Sequence, residues 1–195
     1  LPIIRSFKIA YFRCSTILFK MPRSNFLNLL LLLPVATIAQ SWKTFSDTGI
    51  AFTAKYPANW VSKIKEEKRV FFTSPPDSDN DNFRENINVS IKANPAYGTE
   101  IKIKDAVPSV TESLEKSITD FKLESETYFK WNNSEAAELV YTGVYDINGL
   151  TNSIRITQWF CFWKGKLYTA TFTALKDAST HNENAKKILN SIVFK

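Results

Sequence analysis

From Lys122 to Ala174 apolar and polar residues alternate almost without a break, and three turn signals divide the stretch: Asn132-Asn133, Asp146-Ile147-Asn148-Gly149 and Lys164-Gly165-Lys166. A period of two is the signature of strands, and connections this short join only antiparallel neighbours, so the stretch reads as a four-stranded antiparallel meander. One of its strands constrains the rest of the fold. Gln158, Phe160 and Phe162 fall on one face and Trp159, Cys161 and Trp163 on the other, so both faces of the sheet are apolar there and both must be covered.

The covers are legible as two amphipathic segments. Val107, Val110, Leu114, Ile118 and Phe121 recur at three and four residues, which predicts a helix from about Asp105 to Asp120 with Pro108 tolerated in its first turn. Ala185, Ile188 and Leu189 predict a second helix over Ser179 to Asn190. Ahead of the first helix, Trp42 and Phe45 pair across Asp47-Thr48-Gly49 with the alternating Ile50, Phe52, Ala54 and Tyr56. A second hairpin joins Val61–Lys65 to Arg69–Ser74, and Ile87, Val89 and Ile91 form a further strand. The expected class is α+β: a single antiparallel sheet of about six to seven strands ending in the meander and flanked by helices, an α-β-α sandwich.

The segment before residue 40 has a different composition. After Met21 come Arg23, an apolar run from Phe26 to Ile38, then Ala39-Gln40-Ser41, the order of a signal peptide cut after Ala39. A membrane span needs roughly 20 apolar residues, and this run is shorter and holds Asn28 and Pro34. Residues 1–20 read as an upstream basic leader, 21–39 as the signal peptide and 40–195 as one exported domain, periplasmic or secreted. Five of the 25 basic side chains precede residue 40, which leaves 20 against 19 acidic ones, so the high isoelectric point belongs to the leader and argues against nucleic-acid binding. Cys14 falls in the leader, so Cys161 has no partner for a disulfide within the domain.

Three strings carry a family resemblance: Gly49-Ile50-Ala51-Phe52 leading to Tyr56-Pro57-Ala58-Asn59-Trp60, then Phe83-Arg84-Glu85-Asn86-Ile87-Asn88-Val89, and Lys187-Ile188-Leu189-Asn190-Ser191-Ile192-Val193-Phe194. With the order of elements, they resemble the PsbP-like superfamily, including the DcrB-related bacterial proteins of the Mog-type sandwich fold. The resemblance implies an antiparallel sheet between helices, and an extrinsic or periplasmic accessory role in which members bind without a shared reaction. Fold analogy does not transfer a partner.

Candidate site residues follow. Asp77, Asp79 and Asp81 place carboxylates at alternate loop positions, an arrangement open to Ca²⁺, yet the positions an EF-hand gives to Gly and Glu hold Asn82 and Asn88. A solvated acidic loop is the preferred reading, no cofactor is expected, and calcium is the alternative. One His and one Cys in the domain do not make a zinc site of three or four soft ligands. His181, at the start of the last helix, is expected to be exposed; without a Gly-x-Ser-x-Gly elbow it does not define a hydrolase. Cys161, among aromatics, reads as a thiol that packs as a small buried hydrophobe or faces outward without partners. The five tryptophans exceed what the core needs, so some are expected at the surface: Trp131, with Phe83 and Arg84, is the candidate partner contact, whereas Trp60, Tyr56, Pro57 and Asn86 are structural. The sequence therefore predicts a non-catalytic exported module that binds an unidentified envelope protein, with peripheral membrane association allowed. A small-molecule or calcium carrier is the second reading and a hydrolase the third.

Overall fold

The computed structural model describes residues 40–93, 101–147 and 149–195. The expected leader and signal peptide, residues 1–39, lie outside the described residues. No helix among the described residues is long and apolar enough to cross a membrane.

The meander forms as the alternation requires: β6 (Thr119–Trp131), β7 (Ser134–Ile147), β8 (Leu150–Trp163) and β9 (Lys166–Leu175) pair antiparallel in sequence order. Its turns use left-handed residues, with φ of 49° and 65° at Asn132 and Asn133 and 48° and 70° at Lys164 and Gly165, as two-residue hairpins demand. β3 (Val61–Ile64), β4 (Val70–Thr73) and β5 (Asn86–Ala93) extend this sheet beyond β9, giving seven strands in the order β3-β4-β5-β9-β8-β7-β6.

The expected single sheet is corrected here. β1 (Trp42–Ser46) and β2 (Phe52–Pro57) do not join the large sheet; they form a separate three-stranded sheet with β10 (Val193–Phe194), in the order β1-β2-β10. The reason is the second apolar face of β8. Trp159 and Cys161, with Tyr168, Ala170 and Phe172 of β9, form one core with Phe45, Phe52, Ala54 and Tyr56 of the small sheet and Ala185, Ile188 and Leu189 of helix α2 (Asn182–Ser191). One short helix cannot cover so wide a face, and the small sheet covers the remainder. On the opposite face Leu139, Ile156 and Phe160 are covered by Ile103 and Val107 of helix α1 (Ile103–Ser117), with Val110 and Leu114 packed beside them.

Both helices are displaced from their expected bounds. α1 begins at Ile103, so Pro108 is its sixth residue and lies beyond the first turn, where its missing N–H removes one helical hydrogen bond. Burial of the apolar stripe outweighs that loss. β6 carries register shifts between Thr119 and Lys122 and between Leu123 and Ser125. A one-residue insertion reverses the facing of everything after it, so Phe121 and Leu123 lie with the α1 core whereas Phe129 and Trp131 lie with the α2 core.

Phe194 links the small sheet to the meander. Its ring meets Tyr168 at 4.1 Å, Trp131 at 4.9 Å and Trp163 at 5.5 Å between centroids. Asn132, in the β6–β7 turn, holds the same segment by donating to the Ile192 carbonyl at 2.9 Å and accepting from the Phe194 N–H at 3.3 Å. Replacing Phe194 by Ala is expected to cost about 3–5 kcal/mol in urea unfolding through the cavity left among three aromatics. Gly143 of β7 is a second sensitive point, because a Cβ there would lie 2.2 Å from Ile118 Cγ2. Gly143→Ala should therefore lower stability by about 1–3 kcal/mol, the reverse of the usual gain from Gly to Ala within a strand.

Candidate functional site

Four polar residues are buried among those described, Ser74, Glu85, Thr142 and His181; two of them, Ser74 and Glu85, bracket one loop and His181 packs against it. The loop runs from Ser74, after β4, to Glu85, before β5. Its ends are tied by the Ser74 N–H to the Glu85 carbonyl at 2.9 Å and by the Ser74 hydroxyl to Glu85 Oε2 at 3.2 Å. Arg84 donates through its guanidinium to the Ser74 carbonyl. Asp81 shapes the middle, accepting from the Asp77 N–H at 2.9 Å and the Phe83 N–H at 3.0 Å.

Against this loop stands His181, the residue before α2, and its expected exposure is corrected: it is only 7% exposed. Trp60 packs edge-on against the imidazole, with ring centroids 5.5 Å apart. His181 Nε2 lies 3.0 Å from Asp77 Oδ1, yet neither ring nitrogen has a directed hydrogen bond. Donor atoms of Asp77, Glu85 and His181 all lie within 4.8 Å of one another. The Asp77-Asp79-Asp81 alternation does not form such a group: Asp77 turns toward His181, and both oxygens of Asp81 are held by backbone N–H groups.

Two of the three residues expected as partner contacts, Trp131, Phe83 and Arg84, are withdrawn from the surface. Trp131 is 4% exposed within the aromatic core and Phe83 is buried beneath α1, so neither presents a surface. None of the five tryptophans is exposed. Trp60 and Pro57 are buried in the turn after β2, where the Trp60 N–H meets the Pro57 carbonyl at 2.9 Å. Tyr56, also buried, accepts from the Ser62 hydroxyl at 3.1 Å, and Asn86 donates to the Arg84 carbonyl. Glu85 was overlooked as a site residue because a lone Glu before a strand carries no periodic signal.

Two features bear on reactivity. Cys161 is fully buried, and burial pushes its thiol up to about 12, so it stays protonated at neutral pH. Ser74 is also fully buried, and its hydroxyl points at a carboxylate and makes no hydrogen bond with His181.

A separate surface is basic. The turn end of the large sheet brings together Lys68, Lys92, Lys164 and Lys166, which line a groove of about 400 Å³ with Gly49, Ile50 and Ala51. Beside it, Lys63, Lys65 and Arg69 share an open cleft with Glu66 and Phe71. Lys65 sits over the Phe71 ring at 4.4 Å and Lys164 over Trp163 at 4.3 Å, so aromatic faces help position both charges.

A large antiparallel sheet covered by α1 on one face and by α2 with the small sheet on the other defines an α+β sandwich. The chain belongs to the PsbP-like protein family, whose model matches residues 35–194. Solved structures share the fold at low identity. Cyanobacterial PsbP (CyanoP) from Synechocystis sp. PCC 6803 is 16% identical with a TM-score of 0.57, over 85% of this chain and 99% of that one. PA94 of Pseudomonas aeruginosa, a protein of unknown function, is 17% identical with a TM-score of 0.57, over 79% and 97%. A Bacteroides thetaiotaomicron protein is 19% identical with a TM-score of 0.51, over 78% of this chain and 48% of its own. No curated protein matches the chain.

The raised thiol gives a signed pH dependence. The ordinary Cys value is 9.0, and ionisation is easier in the unfolded chain, so the contribution of protonated Cys161 is complete below pH 9 and is lost as pH rises toward about 12. Buried Tyr141, also raised by burial, adds to the loss above its ordinary value of 10.0. The urea midpoint is expected to decline above pH 9, and Cys161→Ala should shrink the decline. Cys161 should also resist a thiol reagent in the native protein and react fully in denaturant.

Proposed function

We infer that this domain is an exported, non-catalytic accessory module that binds an acidic surface of a protein partner in the cell envelope. The observation that carries the reading is the concentration of exposed lysine, Lys65, Lys68, Lys92, Lys164 and Lys166, at one end of the large sheet. With the leader set aside the domain is nearly neutral, so this end is a local field directed at something acidic rather than a general basicity. Membership of the PsbP-like family supports the accessory role and the signal-like residues 21–39 support export. The protonated Cys161 and the sealed Ser74 support a domain without a nucleophile.

A carrier role is less well supported. In the groove between α2 and the large sheet, about 310 Å³, Arg155 pairs with Glu124 at 2.7 Å and Trp159 donates to Glu138, so these lining groups are engaged within the protein. Asn182, Glu183 and Lys186 of α2 are what remains there to orient a small molecule.

The test is affinity capture from an envelope fraction at low and raised salt. Partner recovery is expected to fall with salt and to be lost in the double variant Lys68→Glu/Lys164→Glu. Lys116→Glu, on the exposed side of α1, should leave recovery unchanged. Recovery indifferent to both salt and charge reversal would overturn the reading, as would binding to anionic lipid vesicles with no protein captured.

A further inference from the structure

We propose that Asp77, Glu85 and His181 form a binding site for a borderline divalent metal ion of the zinc type, clamping the β4–β5 loop to the start of α2. The first ground is convergence. A nitrogen and two carboxylate groups from three separate points of the sequence place donor atoms within 4.8 Å of one another, and two of these residues are among the few polar side chains buried in the domain. Burying such groups is unfavourable unless something satisfies them.

The second ground is the state of His181. The imidazole is 7% exposed, neither nitrogen has a hydrogen-bond partner, and Nε2 faces Asp77 Oδ1 at 3.0 Å without a directed hydrogen bond. A histidine whose only requirement was burial would turn a nitrogen onto a carbonyl or hydroxyl. At 3.0 Å the two atoms are an ion pair when the imidazole is protonated, and with the imidazole neutral they stand in the relation of two ligands of one cation, which in a tetrahedral zinc site sit about 3.3 Å apart. The widest pair must close by about 1.5 Å at most to reach that spacing, and Asp77, whose side chain is 39% exposed on the loop, is the donor placed to move.

The surroundings suit ligands more than a chance cluster. Ser74 donates to Glu85 and orients its carboxylate, and the Trp60 ring fixes the plane of the imidazole. One imidazole nitrogen and two carboxylates match a borderline ion, with water completing the coordination. Calcium would want six to eight oxygens, and the nearby Asp81 has both of its own engaged by backbone.

The test treats purified protein with chelator and titrates it with ZnCl₂, CoCl₂ or CaCl₂ by calorimetry, with Co²⁺ visible absorption and thermal unfolding as second readouts. Zinc is expected to bind one to one and raise Tm, cobalt to give the absorption of a four- or five-coordinate site, and calcium to do neither. Asp77→Asn and His181→Gln should each weaken zinc binding by more than the about 10–100-fold that loss of an outer partner costs, while Asp79→Asn should not change it. Because the Asp77 side chain is 39% exposed, Asp77→Asn is expected to keep the fold, which the thermal unfolding of the metal-free variant checks. Absence of zinc and cobalt binding, equal binding of calcium, or zinc binding that survives Asp77→Asn would each overturn the proposal. None of these outcomes bears on the lysine end of the sheet, so this site and the partner surface stand or fall separately.

Discussion

Every layer of this domain follows from the fact that β8 is apolar on both sides. With Phe160 facing one way and Trp159 and Cys161 the other, water must be excluded from both faces of the large sheet, and no two-layer arrangement achieves that. α1 suffices on the side where the core is narrow. On the other side the apolar area continues onto β4, β5 and β9, and α2 needs the small sheet beside it. Phe194 and Asn132 then fasten the small sheet to the meander, one by ring packing and one by hydrogen bonds to backbone.

The sequence displays what is periodic and hides what depends on a single residue. The meander, its turns and the two helices were legible because each rests on several side chains repeating at one spacing. The division into two sheets was not, since alternation shows that Phe52 and Ala54 share a face without showing which sheet they belong to. Trp131 was misjudged because a surplus tryptophan beside a turn looks like a surface residue, whereas the bulge in β6 between Leu123 and Ser125 faces it into the aromatic core.

The polar centre was half legible. Asp77 and His181 could both be singled out by type, but they are remote in sequence, and only the fold brings them face to face. Glu85 carried no cue beyond lying within a family-like string. Reading Asp77 with Asp79 and Asp81 followed their spacing, yet a loop bound to itself by Asp81 sends neighbouring carboxylates in different directions. Chemistry at such positions is decided by which groups lose their water, and this depends on tertiary packing.

The irregularity in β6 has a consequence for life in a crowded compartment. A rim strand of thirteen residues would template another chain along its whole length if it ran straight. Displaced by one residue at Thr119–Lys122 and again at Leu123–Ser125, and set with Lys122, Glu124, Glu126 and Lys130, it offers an incoming strand only short, mismatched segments, so the domain can keep a wide open sheet without seeding fibres of itself.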